Sequence, residues 1–524
     1  MNLRLRPIHL ALLLAIGCAS AQAGDLQQAY DLARQSDPQL AGSEANKRAE
    51  AEGVVQSRAV LLPQISATGT LTHTSGSNSS VQPFECSTGS GVCFGPDNSS
   101  TDTTTRSTGI GVQQSIYDHS NYTRLKASIS REQQFDALYD NASDALITRV
   151  TQAYFNVLSA IQDLASSRAQ ERALKRQYDQ ANVRLQVGLA PITDAQEAKA
   201  QYDIARAQTI DFETALSDTR EALTEITGQP IDHLKGLAAD FAPTAPTPAD
   251  VDAWVKMAVD QNPQVRAQKL AVDAAEHDVD TARAGHLPTL AFSATYGNNT
   301  TWGTSSNNGL PFPPAAVSYG PQYILTLNVP IFSGFAVSSR VRQALATRDA
   351  ASDLLEQTRR SIERQARNSF HATMAGLTEI EARRQALLSA QTALDATQTG
   401  LEVGTRTIVD VLISEQTLFS AQRDYARARN NFVVNEMLLK QAAGDIKGSD
   451  VSAVNAMLVS DAEAALDAPA NDTDTAMPGL PMSPAKAVVP TASDGSPPAT
   501  KAKKKHPAKK KSASTTTDTP PVTP

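Results

Sequence analysis

The chain has 524 residues, of which 41% are hydrophobic, 5% aromatic and 19% charged, with 27 Gly, 28 Pro and 3 Cys. It is too long for one ordinary core and too poor in aromatic residues for a standard enzyme domain. Lysine and arginine number 47 against 55 aspartate and glutamate, a formal charge of -8, which argues against a nucleic-acid partner because a DNA binder needs a basic face.

Residues 1–23 carry Arg4 and Arg6, an apolar run from Leu10 to Ile16 and the small-x-small triplet Ala21-Gln22-Ala23. This is the pattern of a secretory signal peptide. Cys18 leaves a lipoprotein signal open, although Ala15 stands where a large apolar residue is expected. No later stretch reaches the roughly 18 apolar residues of a membrane-spanning helix. Contact with a bilayer core therefore requires a β-barrel.

A helix is expected over 25–61. The next segment alternates Ile65, Ala67, Gly69 and Leu71 with Ser66, Thr68, Thr70 and Thr72, and a second alternates Ile110, Val112 and Ile116 with Gly109, Gly111, Gln113 and Ser115. Residues 74–106 between them read as a polar surface loop. Cys86 and Cys93 lie there in an exported chain, where a bridge persists. By loop closure it would contribute about 2.5 kcal/mol at most.

From about 120 to 187 no Pro or Gly breaks the helical pattern, and Val150, Tyr154, Val157, Ile161 and Leu164 follow 4, 3, 4, 3 spacing. Such a helix is roughly 100 Å long. Gly188 suits its left-handed end, and Pro191 opens the next helix, expected to run to 227. The pair is an antiparallel helical hairpin. Residues 241–249, with Pro243, Pro246 and Pro248, read as a linker.

The pattern then repeats. Asp37-Pro38 and Leu62-Pro63 are answered 225 positions later by Asn262-Pro263 and Leu287-Pro288, and Val187-Gly188 is answered 216 positions later by Val403-Gly404. The chain reads as a tandem of two similar halves, 24–240 and 250–458. The second has a helix over 250–285, strands around Leu290–Tyr296 and Tyr323–Ile331 with loop 297–320 between them, a long helix over 337–403 interrupted only by Gly376 and Gly400, and a shorter one over 407–443. Strands of about ten residues, apolar on one face and small polar on the other, are the signature of a transmembrane barrel. Four strands cannot close a water-filled barrel, so several chains must share it. Residues 459–524, including seven lysines between Lys501 and Lys511, read as a disordered tail.

The motifs Ala153-Tyr154-Phe155-Asn156-Val157-Leu158, Arg184-Leu185-Gln186-Val187-Gly188-Leu189-Ala190-Pro191-Ile192-Thr193-Asp194 and Val403-Gly404-Thr405-Arg406-Thr407-Ile408-Val409-Asp410 resemble the TolC family of outer membrane export channels over about 24–447. The resemblance implies an α+β membrane protein: a homotrimer with four strands per chain in one twelve-stranded barrel, continued by a periplasmic helical tunnel. It also implies an exit duct for efflux of small toxic compounds or type I protein secretion, opened by a periplasmic adaptor (membrane fusion) protein and an inner-membrane efflux or ABC transporter. The outer membrane lipid would be its solvent.

By the same resemblance, Arg406, Thr193, Asp194 and Asp410 match the family's gate, while Leu401 and Ile413 stand where it has a tyrosine and a second lumenal aspartate. The hairpin tips, with Arg184, Val187, Gly188 and Leu189 in one and Val403, Gly404 and Thr405 in the other, are the expected adaptor-docking surface. Asp194 and Asp410 also begin helices, where a carboxylate favours the N-terminal dipole without any gate role. No catalytic cluster, cofactor loop or metal-ligand spacing is visible. A trimeric helical stalk or adhesin is the competing class, but it has no need of duplicated alternating strands.

Overall fold

The computed structural model describes residues 24–466 except 87, 88, 90, 239, 314 and 315. The described residues all belong to one compact unit. The signal-peptide reading over 1–23, Cys18 and the lysine run lie outside the described residues.

The helix expected over 25–61 is two helices, α1 (Leu26–Ser36) and α2 (Pro38–Ala59). Pro38 lacks the N–H that would continue α1, and the residue before a proline avoids the helical region. Asp37 is accordingly extended, with ψ 118, and its carboxylate accepts from Leu40 N at 2.8 Å to cap α2.

Beyond α2, strand β1 (Gln64–Glu85) pairs antiparallel with β2 (Val92–Tyr117). Then come α3 (His119–Gln186), α4 (Ile192–Thr227) and the short strand β3 (Lys235–Leu237).

The elements after the linker follow the same order. The expected helix over 250–285 is likewise two, α5 (Val251–Gln261) and α6 (Pro263–Ala284), with Asn262 taking the capping place of Asp37. Strands β4 (Thr289–Asn307), β5 (Leu310–Phe312) and β6 (Ala316–Asn328) precede α7 (Ala336–Glu402) and α8 (Ile408–Ala443). The lengths match closely: 68 and 36 residues for α3 and α4, 67 and 36 for α7 and α8. Helix α7 runs through Gly376 and Gly400 without a break.

The long strands lie in the order β1-β2-β4-β6, all antiparallel. Ile65 pairs with Val112, Ala67 with Ile110, Ile110 with Tyr296, Ala294 with Tyr323, and Leu290 with Leu327. Paired residues share a face, so the four rows of alternating apolar residues merge into one. That face is bare: Ile65, Ile110, Tyr296, Tyr323, Leu325 and Leu327 are all exposed. The opposite face carries Ser66, Thr68, Thr70, Ser293, Thr295 and Thr326.

On β1 the apolar row runs from Ile65 to Leu71 and gives way to His73, Ser75, Ser77 and Ser79. Seven residues of strand span about 23 Å, close to the roughly 25 Å apolar band of an outer-membrane barrel.

Two loop expectations are corrected. Residues 74–106 are largely strand: β1 and β2 stay paired to Glu85↔Val92, about 45 Å of ribbon beyond Leu71. Residues 297–320 are largely strand as well. Strand β4 continues to Asn307 and turns at Asn308 and Gly309, with φ 50 and 75, the left-handed pair that closes a tight hairpin.

The main core surrounds the middle of α3, where Tyr154, Phe155, Leu158 and Ile161 pack with Leu26 of α1, Leu223 of α4 and Met437 of α8. The Tyr154 hydroxyl donates to Gly24 O at 3.2 Å and Lys235 O at 2.8 Å. Here the boundary expected at 458 is also corrected. Helix α9 (Gly448–Asn455), strand β7 (Leu458–Asp461) and a 3-10 turn (Glu463–Ala465) continue the fold, with β7 paired to β3 and Leu458 in the core. A strand of four residues is too short for period-two alternation to stand out against a polar tail.

Candidate functional site

The candidate site is formed by the two hairpin tips and the seam between the hairpins. The tips are built alike. At the end of α3, Gly188 N donates to Leu185 O at 3.0 Å and Leu189 N to Arg184 O at 2.8 Å; at the end of α7, Gly404 N donates to Leu401 O at 3.2 Å and Thr405 N to Gly400 O at 2.8 Å. This is the Schellman closure, which needs a left-handed residue. Gly188 and Gly404 supply it with φ 78 and 79. A Cβ on either would meet nothing within 4 Å, so the demand for glycine is conformational and not steric. Val187, Leu189, Ile192 and Val403 are all more than 60% exposed, an apolar surface that folding of one chain leaves uncovered.

The two following helices start differently. Helix α4 begins after Pro191 with no side-chain cap, and Thr193 Oγ1 lies 3.4 Å from Asp194 Oδ1. Helix α8 has a full capping box: Asp410 N donates to Thr407 Oγ1 at 3.3 Å, while Thr407 N and Thr407 Oγ1 each donate to Asp410 Oδ2 at 2.9 Å. These bonds, and less strongly Arg406, hold the Asp410 carboxyl below the usual carboxylate range. The helix-start role of Asp410 is therefore physically present, whatever else it does.

Arg406 makes no ion pair among the described residues, so Thr193 and Asp194 do not hold it within one chain. Its aliphatic stem instead lies against Gly400, where a built Cβ would stand 2.6 Å from Arg406 Cγ. Arg184 is exposed at the first tip. Leu401 packs beside Ile408 and Leu412, so this position adds apolar contact where the family resemblance expects a tyrosine, while Ile413 is exposed. Cys86 and Cys93 are joined by a disulfide at the far end of the β1–β2 ribbon.

The hairpins meet along α3 and α8, and this seam is polar. Asn430 bonds Ser159 and Gln162 at 3.0 and 3.2 Å, Arg427 pairs with Asp163 at 2.6 Å, Ser166 Oγ donates to Phe419 O at 3.3 Å, and Gln177 Nε2 donates to Glu415 Oε1 at 3.4 Å. The interior of the first hairpin is apolar and closely spaced, with Ala181, Ala195, Ala198 and Ala205 buried. The family motifs contain Thr407 and Asp410 without marking them as a cap, and do not include the seam or Gly400. Thr-x-x-Asp ahead of an apolar run would have signalled the cap; the others are contacts between distant segments and leave no local signal.

Among the described residues no group of three or more His, Cys, Asp or Glu could hold a metal ion, and no helix is long and apolar enough to cross a membrane.

A family model described as Outer membrane efflux protein matches residues 29–229 and 254–445. The chain is 34% identical over 460 residues to outer membrane protein TolC of Escherichia coli (strain K12), covering 86% of this chain and 88% of that one. It is 28% identical over 459 residues to the proteases secretion protein PrtF of Dickeya chrysanthemi, covering 86% and 94%. Among solved structures, CusC matches with a TM-score of 0.66 and 16% identity over 80% of this chain and 92% of that one, a likeness of fold.

Proposed function

The chain belongs to the outer membrane efflux protein family, and on that premise we propose how it works as an exit duct. It is an outer membrane channel protein with its helices in the periplasm. Three copies share one twelve-stranded barrel, each contributing β1, β2, β4 and β6, and the helices of the two tandem repeats continue it as a tunnel. The duct serves efflux of small toxic compounds, type I protein secretion, or both.

The observation that carries this reading is the continuous bare apolar face across the β1-β2-β4-β6 sheet, with a Ser/Thr face behind it. Exposed apolar area on this scale is costly in water and suits lipid, while the polar reverse suits a water-filled lumen. Strands β1 and β6 are the sheet's outer edges, and an unpaired edge in a membrane must find a partner. Pairing β6 of one copy with β1 of the next answers both edges. A helical stalk has no use for such a sheet.

At the other end, the exposed tips around Gly188 and Gly404 receive a periplasmic adaptor protein, which couples the duct to an inner-membrane efflux or ABC transporter. Arg406 reaches Thr193 and Asp194 of a neighbouring hairpin and holds the tips closed, and Asp410 lines the opening.

The test is single-channel recording of the purified full chain in planar bilayers, with native mass measured on the same sample. A trimer whose small conductance rises several-fold in Arg406→Ser supports the reading. A monomer, or a trimer that never conducts in either form, overturns it.

A further inference from the structure

We propose that Glu415 is a proton-controlled wedge between the two helical hairpins: protonated, it lets α8 lie closed against α3, and ionised, it drives the seam apart. The inference deepens the exit-duct reading and rests on it for its functional meaning.

Glu415 sits in the third turn of α8 and is only 5% exposed. Its Oε1 accepts one long hydrogen bond, from Gln177 Nε2 at 3.4 Å, while its Oε2 and the Gln177 Oε1 are both buried with no hydrogen-bond partner. A buried carboxylate needs a cation or several donors to remain ionised. Asp163, further along the same seam, has such a cation in Arg427. Glu415 has no ion pair among the described residues.

The two unpartnered atoms belong to facing groups, and one proton answers both. With a proton on Oε2, the acid can donate to Gln177 Oε1 while Gln177 Nε2 donates to Oε1, closing a two-bond acid–amide ring. Without it, both acceptor oxygens stay buried and unpaired, and each retains its desolvation penalty.

The surroundings do not supply a substitute charge. Burial raises the Glu415 carboxyl above its ordinary range, and the Gln177 hydrogen bond and the exposed Arg176 of α3, the one charged group acting on it, lower it by less. Tyr178 of α3 stacks on Tyr202 of α4 in the adjoining cluster. From α7, the neighbouring level is Ala390 and Leu394, which carry no charge.

The sign follows from linkage. An acid whose pKa is raised in the closed seam stabilises that seam while it holds its proton, and the contribution is lost as pH rises from the ordinary carboxylate range through the raised value. One proton per chain gives at most about a tenfold change in the seam's opening equilibrium per pH unit inside that window.

The test uses the full chain in detergent and in planar bilayers, titrated upward from the ordinary carboxylate range at about pH 4. Hydrogen exchange over 408–418, corrected for intrinsic rates, should quicken several-fold on raising pH, and open probability should rise with it. Glu415→Gln, which keeps the two-bond ring without a titrating group, should stay protected and flat with pH. Glu415→Met should also lose the pH response. A flat response in the parent, or an unchanged response in Glu415→Gln or Glu415→Met, overturns the proposal. If exchange responds as stated in a protein that never conducts, the wedge stands and the duct reading fails.

Discussion

Arg406 lies across Gly400, two residues before the end of α7 and one turn before the tip. The Gly400 carbonyl accepts from Thr405 N at 2.8 Å, Arg406 N at 3.1 Å and Thr405 Oγ1 at 3.1 Å, and the missing side chain leaves room for the arginine stem. A Cβ there would stand 2.6 Å from Arg406 Cγ and 3.2 Å from its Cβ. The glycine thus sets the direction in which the guanidinium leaves the tip.

Gly400→Val should therefore imitate loss of the arginine while leaving its charge in place. Single-channel conductance of the variant should rise toward that of Arg406→Ser. Parental conductance in the valine variant would show that the arginine reaches its partner by another path.

Gly188 and Gly404 make a different demand, because their surroundings are open and only φ is restrictive. An L-residue held in the left-handed region costs roughly 1–2 kcal/mol. Gly188→Val should lower adaptor-dependent export strongly while native mass and the melting of the helices as a whole hardly change, since a tip can fray without opening the core. Loss of the trimer in this variant would assign the glycine to assembly instead.

Much of this architecture is legible in the sequence because its signals are local and long. The uninterrupted stretch from 120 to 187 ends at Gly188, and α3 ends at Gln186. The alternating rows at Ile65–Leu71 and Tyr323–Leu327 land on one sheet face. The distal ribbon escaped this reading because its strands are Ser/Thr-rich, as in Thr103-Thr104-Thr105: threonine favours strands, but without apolar partners there is no period of two. Asn308-Gly309 was a usable hairpin signal. The breaks at Asp37-Pro38 and Asn262-Pro263 served as repeat markers although the same dipeptides also divide helices. Of the site, the tip glycines could be read from the motif, whereas Glu415 and Gln177, 238 residues apart, meet only in the fold.

Asp37 does two jobs in the core. It caps α2 through Leu40 N and pairs with Arg149 of α3 at 2.7 Å, with only 3% of its side chain exposed. Removing one member of a buried pair costs about 3–5 kcal/mol, because the other charge is left without its partner. Asp37→Ala should depress the thermal midpoint of helix melting sharply, and Asp37→Asn, which can cap as Asn262 does, should depress it less. Equal, small effects would mean that water replaces the pair.

The long ribbon and the apolar band together fix a direction through the membrane. If the band from Ile65 to Leu71 lies in lipid, the turn at Asn308-Gly309 lies beyond it on the side away from the helices. A short epitope inserted between these two residues should be reached by antibody on intact cells. Labelling only after lysis would place the sheet the other way up.

Asp410 is tied by Thr407 into a capping box that lowers its pKa. A group with a lowered folded pKa keeps its charge above that value and loses it only as pH falls through it. In a three-fold opening each Asp410 would face two copies of itself, and like charges repel, which pushes the pKa up again. The cap opposes that push by fixing donors on Oδ2, so the ring should stay ionised at mildly acidic pH. Multivalent-cation block of the pore should then persist at mildly acidic pH, down to the ordinary aspartate range. Thr407→Val, which removes the hydroxyl but keeps the carboxylate, should move the loss of block to higher pH. Asp410→Ala should weaken block at every pH. If Asp410→Ala blocks like the parent, the carboxylate serves the start of α8 alone.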